Sequence, residues 1–345
     1  MVKERIIPST YVDAGIDLRD EADILHNINN LIKGSFQFGD VLAKEGHYAN
    51  MIKFGDFGLA LTTDGVGTKL IVAQKMKKYD TVGIDCVAMN VNDLLAMGVT
   101  PKAFVDYLAV SEFNARIIEN IVKGLVKGCE LSSIPLIGGE LAKIPDLLAK
   151  GENVFDLAGT ALGIIKKDKI IDGSKIKSSN VIIGISSNGI HSNGFTIARK
   201  VLDVKYDLNE EFPWKIKVGD ELLKPTRIYV STIQHLLQEC KVTGLAHITG
   251  GGIKKLFRIT NLGFKFSKWP EIPAIFNEIR KIGNITYQEM FSIFNMGIGF
   301  IVVVPKAEVE KSLQILNEHF PSYILGEITD DSTIAIPQYD VLYTR

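Results

Sequence analysis

Apolar, β-branched runs alternate along the chain with segments whose apolar positions recur at helical spacing, the pattern of a mixed α/β or α+β protein. In the first half, residues 57–63 read as a strand that ends in the loop Asp64-Gly-Val-Gly-Thr-Lys69. Residues 81–97 read as a mostly buried helix and 103–110 as a strand. The stretch 115–129 puts Ile117, Ile118, Ile121, Val122, Leu125 and Val126 on one face, which predicts an amphipathic helix. A short strand over 134–137 ends in Gly138-Gly-Glu140, and a further strand covers 154–165. The polar stretch from Lys166 to Lys175 precedes a fresh apolar strand at 181–186, so a domain boundary is expected near residue 170. Beyond it, 194–202, 227–239 and 307–320 read as helices, and 299–304 and 323–328 as strands.

Composition narrows the function classes. A chain of 345 residues carries a length prior of about two domains. Its 39 Lys plus Arg balance 40 Asp plus Glu, so bulk charge gives no reason to expect a nucleic-acid partner. Cys86, Cys129 and Cys240 are too scattered for a disulfide scaffold or a cysteine zinc site. The first residues lack the apolar core of a signal peptide, and the strongest apolar run, 300–304, is too short to span a bilayer. The expectation is a cytoplasmic protein with no membrane partner.

Four places put polar residues or glycine where a core element should continue. In the first, Gly65 and Gly67 free backbone N–H groups to approach an anion, Thr68 follows, Lys69 adds a point charge and Asp64 can hold a hard cation. Those are the parts of a Mg-nucleotide site, although a strand-to-helix turn capped by Asp64 explains the loop equally well. In the second, Asn90 and Asp93 share one face of an otherwise apolar helix, where a buried Asp needs a partner or a metal. In the third, Gly138-Gly-Glu140 delivers a carboxylate after an apolar strand, with Asp106 a further candidate. The fourth is a pair of glycine-rich loops, one with His191 and Asn193, the other with His247, Thr249 and Gly250, Gly251 and Gly252. Each follows an apolar stretch, opens toward a helix that could bind phosphate, and carries a histidine that can exchange a proton near neutral pH. His26, His47, His235 and His319 are read as surface residues. With no G-x-S-x-G, H-E-x-x-H or activated cysteine, the inventory favours phosphoryl chemistry through Mg²⁺ and backbone amides.

Taken together, these blocks resemble phosphoribosylformylglycinamidine cyclo-ligases, also called aminoimidazole ribonucleotide synthetases. The matching stretches run collinearly from Tyr11-Val-Asp-Ala-Gly-Ile-Asp17 through Thr63–Lys69, Val91-Asn-Asp-Leu94, Gly138-Gly-Glu140, His191-Ser-Asn-Gly194, Pro225-Thr-Arg-Ile-Tyr229 and Ala246–Gly252 to Phe294-Asn-Met-Gly-Ile-Gly299. The resemblance implies an ATP-dependent ring closure of a small ribonucleotide in purine synthesis, with ATP and Mg²⁺ as cofactors. It implies a two-domain α/β and α+β fold, residues 1–170 binding Mg-ATP and contributing to a β-barrel shared across a homodimer, residues 171–345 an α+β substrate and phosphate domain. It further implies Asp64 and Asp93 as metal ligands and Lys69, His191 and His247 as catalytic. Gly65, Gly67, Thr68, Glu140, Asn193, Thr249 and Gly250 to Gly252 join Asp64, Lys69 and Asp93 as the cofactor-binding set. After Glu140 this chain reads Leu141-Ala-Lys-Ile-Pro145 where the family usually has Thr-Ala-Glu-Met-Pro.

The competing readings are another ATP-dependent enzyme of the same superfamily and a non-catalytic nucleotide-binding module. Selenophosphate synthetase and thiamine monophosphate kinase share the helix motif seen here as Asp93-Leu-Leu-Ala-Met-Gly98. The first expects a reactive residue ahead of Cys86; the second usually has Gly-Asp-Asp where this chain has Thr63-Asp-Gly65.

Overall fold

The computed structural model describes residues 18–42 and 47–345, so the Tyr11–Asp17 motif lies outside the described residues. The first half runs α1 (Leu18–Lys33), β1 (Asn50–Phe54), β2 (Phe57–Gly65), α2 (Lys69–Met76), α3 (Asp80–Leu95), β3 (Thr100–Val110), α4 (Ala115–Leu131), β4 (Leu136–Lys143) and β5 (Phe155–Lys166). These strands form one sheet in the order β1-β2-β5-β3-β4, antiparallel except for the β3–β4 pair.

Alternation sets which face is covered. Gly58, Ala60 and Thr62 of β2 and Phe155, Leu157 and Ala161 of β5 are buried on the face that α3 covers. The opposite face is open and apolar, with Ile52, Phe54, Phe57, Leu61 and Tyr107 exposed. Helix α3 carries almost no solvent-facing surface, because α4 packs along it on one side and the second domain on another. Close approach of α3 and α4 depends on glycine. A Cβ on Gly83 would lie 2.3 Å from the Leu125 nitrogen, and one on Gly124 2.1 Å from the Asp80 carbonyl oxygen.

The second half runs β6 (Val181–Ser186), α5 (Phe195–Leu202), α6 (Val218–Leu222), α7 (Val230–Glu239), β7 (Gly244–His247), β8 (Gly263–Lys265), α8 (Ala274–Gly283), α9 (Tyr287–Ile293), β9 (Ile298–Val304), α10 (Val309–Asn317), β10 (Ser322–Thr329), β11 (Thr333–Ile336) and β12 (Val341–Thr344). Its sheet has the order β12-β11-β8-β10-β6-β9-β7, and β9 is buried along its whole length. The architecture is a two-domain α/β fold with mixed sheets. Among the described residues, no helix is long and apolar enough to cross a membrane.

Two expectations change. Gly138-Gly-Glu140 does not end a strand; β4 continues through it to Lys143, paired in parallel with β3. Glycine suits that place because the Asp106 carboxylate lies over Gly139, 2.2 Å from where a Cβ would sit. Residues 227–229 are not helical either. Asn92 of α3 donates to the Arg227 carbonyl at 2.7 Å and accepts the Tyr229 N–H at 3.1 Å, taking groups that a helical turn would use.

Replacing Gly124 by Val should destabilise the protein by about 3 kcal/mol, since the new side chain meets backbone that cannot swing aside. Gly138→Ala, pointing into open space, should change stability by less than about 0.5 kcal/mol. Urea unfolding midpoints of the two variants compare them directly.

Candidate active site

Across the covered face of the first sheet, register aligns Asp64, Gly159, Asp106 and Gly139 in one row. Asp64 ends β2 and accepts the Gly65 N–H at 2.8 Å. Helix α3 crosses above it. Asn90 there donates to the carbonyls of Cys86 at 2.9 Å and Asp64 at 3.3 Å, while its own Oδ1 is buried without a partner. One turn on, Asp93 Oδ1 is 2.8 Å from His247 Nδ1. Burial, and next the charge of Asp93, push the Asp64 carboxyl above its usual range. Two oxygen donors that repel one another when ionised are a fit for a hard divalent cation.

The second domain supplies the opposite wall. His247 is the last residue of β7, and the glycine loop behind it opens into a 3₁₀ helix, Gly252–Arg258, in place of the expected α-helix. Gly251 and Gly252 both take positive φ, and a Cβ on Gly252 would strike the Phe291 carbonyl, so this path is closed to other residues. Asn193 of the first loop lies against Gly250, its Oδ1 3.0 Å from the position of a Cβ there, and its amide is 3.8 Å from Met89 Sδ of α3. Thr68 joins this wall through Thr196, hydroxyl to hydroxyl at 3.2 Å. The two glycine loops and the carboxylate row thus converge on the domain junction.

The histidines are bonded differently. His191 sits in the left-handed region at φ 66°. Its Nε2 accepts the Asn188 N–H at 3.0 Å, which places its proton on Nδ1, and that atom is buried without a partner. Burial holds its pKa well below 6.5, with the neighbouring charges of His247, Lys69 and Arg227 adding to the effect. His247 turns Nδ1 to the Asp93 carboxylate, and its Nε2 is buried without a partner. Cys86, on the buried side of α3, has its thiol pushed well up by burial and then by nearby carboxylates, so it is no nucleophile.

Lys69 stands elsewhere than the sequence suggests. Its ammonium is fully buried, 2.8–2.9 Å from both Asp85 oxygens, and donates to the carbonyls of Lys224 at 2.7 Å and His191 at 3.2 Å. Every donor is used inside the protein, and none faces the carboxylate row. The cation that does is Lys255, which donates to Thr249 Oγ1, feels the charges of Asp93 and Asp64, and lies 5.7 Å from the Tyr48 ring. Burial lowers its pKa, and the two carboxylates partly restore it. Sequence reading missed Lys255 and Tyr48; the available signal for Lys255 was its place three residues after the glycine triplet. Glu140 is also apart. Its row is Gly65, Ala158, Tyr107 and Glu140, on the open face of the sheet, away from Asp64 and Asp93.

Two family models match the chain: "AIR synthase related protein, N-terminal domain" over residues 46–165 and "AIR synthase related protein, C-terminal domain" over 177–337. A phosphoribosylformylglycinamidine cyclo-ligase of Thermococcus kodakarensis is 48% identical over 96% of this chain and 99% of its own. One of Pyrococcus furiosus is 47% identical over 97% and 99%. The chain belongs to the phosphoribosylformylglycinamidine cyclo-ligase family.

Among solved structures, this cyclo-ligase family member is similar in fold to a HypE–HypF complex, with TM-score 0.63 and 18% identity over 91% of this chain and 98% of that one. It is similar as well to a structure titled "AaThiL complexed with AMPPCP and TMP", with TM-score 0.63 and 14% identity over 89% and 91%. At such identities the likeness concerns the fold alone.

In this cyclo-ligase family member, Lys69→Met should cost about 3–5 kcal/mol, because Asp85 would be left charged and buried. Urea denaturation of the variant measures it, and retention of wild-type stability would show the pair to be dispensable.

A pH dependence follows from His191. Its folded pKa lies below the unfolded value of 6.5, so the stability it confers is complete above that pH and is lost as pH falls. Between pH 7.5 and 5, wild type should therefore lose more stability than His191→Asn, read from urea midpoints at the two pH values.

Proposed function

We propose that this chain performs the reaction its relatives are named for, closing the imidazole ring of formylglycinamidine ribonucleotide at the expense of ATP. The observation that carries the reading is the convergence of Asp64 and Asp93 with Lys255 and the Gly250–Gly252 loop at one domain junction. In the proposed sequence, the formyl oxygen attacks the γ-phosphorus, ADP departs, and an iminophosphate forms. The amidine nitrogen then attacks the activated carbon, the C–O bond breaks, and phosphate leaves with the former formyl oxygen. Holding both ends of one substrate in reach converts the second step into an intramolecular one.

Each side chain has an assigned part. Asp64 and Asp93 would hold Mg²⁺, whose chemistry when bound is neutralisation of phosphate charge. The orphaned Asn90 Oδ1 and the buried Tyr48 hydroxyl, also unpartnered, fit a polar ligand at that place. Lys255 is the cation assigned to the phosphates, and the N–H groups of Gly67, Thr68, Gly250 and Gly251 are assigned to the same anion, those of Gly65 and Gly252 being held by Asp64 and Thr249. Asn193 and Thr249 orient that loop through Gly250 and Lys255. Lys69 acts through His191, whose carbonyl it holds.

For the proton lost by the attacking nitrogen, the hydrogen bonds favour His247 over His191. Asp93 fixes Nδ1–H of His247 and leaves Nε2 able to accept, whereas Asn188 already occupies Nε2 of His191.

The proposed division of labour assigns residues 1–170 to Mg-ATP and self-association, and 171–345 to substrate and phosphate. A homodimer is supported by the open apolar face of the first sheet, where Ile52, Phe54, Phe57, Leu61 and Tyr107 lie exposed together. Glu140 lies on that face, so its assigned contact with cofactor would be made beside the dimer interface.

The test is incubation with Mg-ATP and formylglycinamidine ribonucleotide, followed by mass spectrometry. The expected product is lighter than the substrate by one water, with one ADP per product. Asp93→Asn should lower kcat/KM by at least about 100-fold, and Lys255→Met should raise KM for ATP about tenfold or more, with stability nearly unchanged. ATP binding without product formation would overturn the assignment.

A further inference from the structure

Three exposed polar residues outside the carboxylate row have no part in the proposed chemistry. His235 lies on α7, and Glu318 and His319 follow directly on α10. One donor atom from each lies within 4.8 Å of the other two. Among the described residues, none of the three side chains makes a hydrogen bond or ion pair, so their lone pairs are free.

The scaffold beneath them is fixed without help. Ile233 and Leu236 anchor α7, Ile315 and Leu316 anchor α10, and all four are buried. The Phe320 ring meets that of Tyr229 edge-on at 5.6 Å, and Lys311 pairs with Glu239 at 2.8 Å. The last contact engages the nearest other carboxylate on α7 and leaves Glu318 to the histidines.

We propose that His235, Glu318 and His319 form a surface site for a borderline divalent transition metal, with zinc as the reference ion. Two imidazole nitrogens and one carboxylate oxygen are the protein donors of three-ligand zinc sites, in which water completes the coordination. Imidazole donors discriminate against Mg²⁺ and Ca²⁺, which take oxygen, so the site would not compete for the cation of the carboxylate row. A bound ion bridges α7 to the end of α10. Helix α7 begins directly after Pro225–Tyr229, the segment that Asp85 and Asn92 of the first domain grip, so the bridge stiffens the anchor of that grip.

The experiment uses the full chain, freed of metal, titrated calorimetrically with ZnCl₂ and separately with CoCl₂ under visible absorption. Wild type should bind one equivalent of Zn²⁺ at this site, and His235→Ala and His319→Ala should each bind at least about tenfold more weakly there. The Co²⁺ absorption of a nitrogen-ligated site and the rise in Tm on adding Zn²⁺ should both vanish in the double variant. Turnover with Mg-ATP in the absence of zinc should be the same in all of them. Equal zinc affinity in wild type and double variant would overturn the proposal, as would an unchanged Co²⁺ spectrum. Circular dichroism checks folding, and Glu318→Gln, isosteric and exposed, repeats the test without removing a ring.

Discussion

The buried ion pair between Lys69 and Asp85 is the joint on which the molecule turns. Lys69 opens α2 and Asp85 lies within α3, yet the remaining bonds of both reach into the second domain, to the carbonyls of His191 and Lys224 and to the N–H and hydroxyl of Thr226. Neither charge touches water, so each is tolerable only while the other domain is in place. Domain docking and charge satisfaction are therefore the same event. Asn92, two turns further along α3, repeats the arrangement with neutral groups by gripping Arg227 and Tyr229.

That joint sets the candidate site beside it. Because α3 is held on one side by its own sheet and on the other by residues 225–229, its Asp93 meets His247 at 2.8 Å rather than water. Buried polar atoms without partners collect in the same region: Asn90 Oδ1, the Tyr48 hydroxyl, His191 Nδ1 and His247 Nε2. In a well-packed protein such atoms are uncommon, and several at one junction mark a place shaped for a ligand.

Much of this was legible in the sequence, for identifiable reasons. Runs such as 181–186 declare themselves because period and burial coincide there, and 115–129 forms its helix although Val122 and Val126 of the apolar face stay exposed while Gly124 and Gly128 are buried. Asp64, Asp93 and the two glycine loops were visible because acids and glycines break apolar runs. What sequence could not show is which polar group each charge would find. Lys69 follows the loop that looks made for phosphate, but its partner is sixteen residues on, and only the packing of α2 against α3 reveals it. Lys255 and Tyr48 belong to segments without periodic pattern, and their proximity to Asp93 is a product of tertiary structure. Glu140 was misplaced for a subtler reason. A bulge at Ile137 shifts the register before the glycines, pairing Gly138 with Val105 and so Glu140 with Tyr107 on the open face.

The strand order of the first sheet has a consequence for biogenesis. β5 is the last of its strands to be made, yet it sits in the middle, joining the β1–β2 hairpin to the parallel β3–β4 pair. Until residue 166 has left the ribosome, the nascent chain holds two fragments of sheet with unpaired inner edges and a helix, α3, with no completed surface to lie on. Translation must then reach Thr226 before Asp85 has its second set of partners. The first domain is thus made early but matures late, and for the synthesis of some sixty further residues it depends on not meeting another unfinished copy.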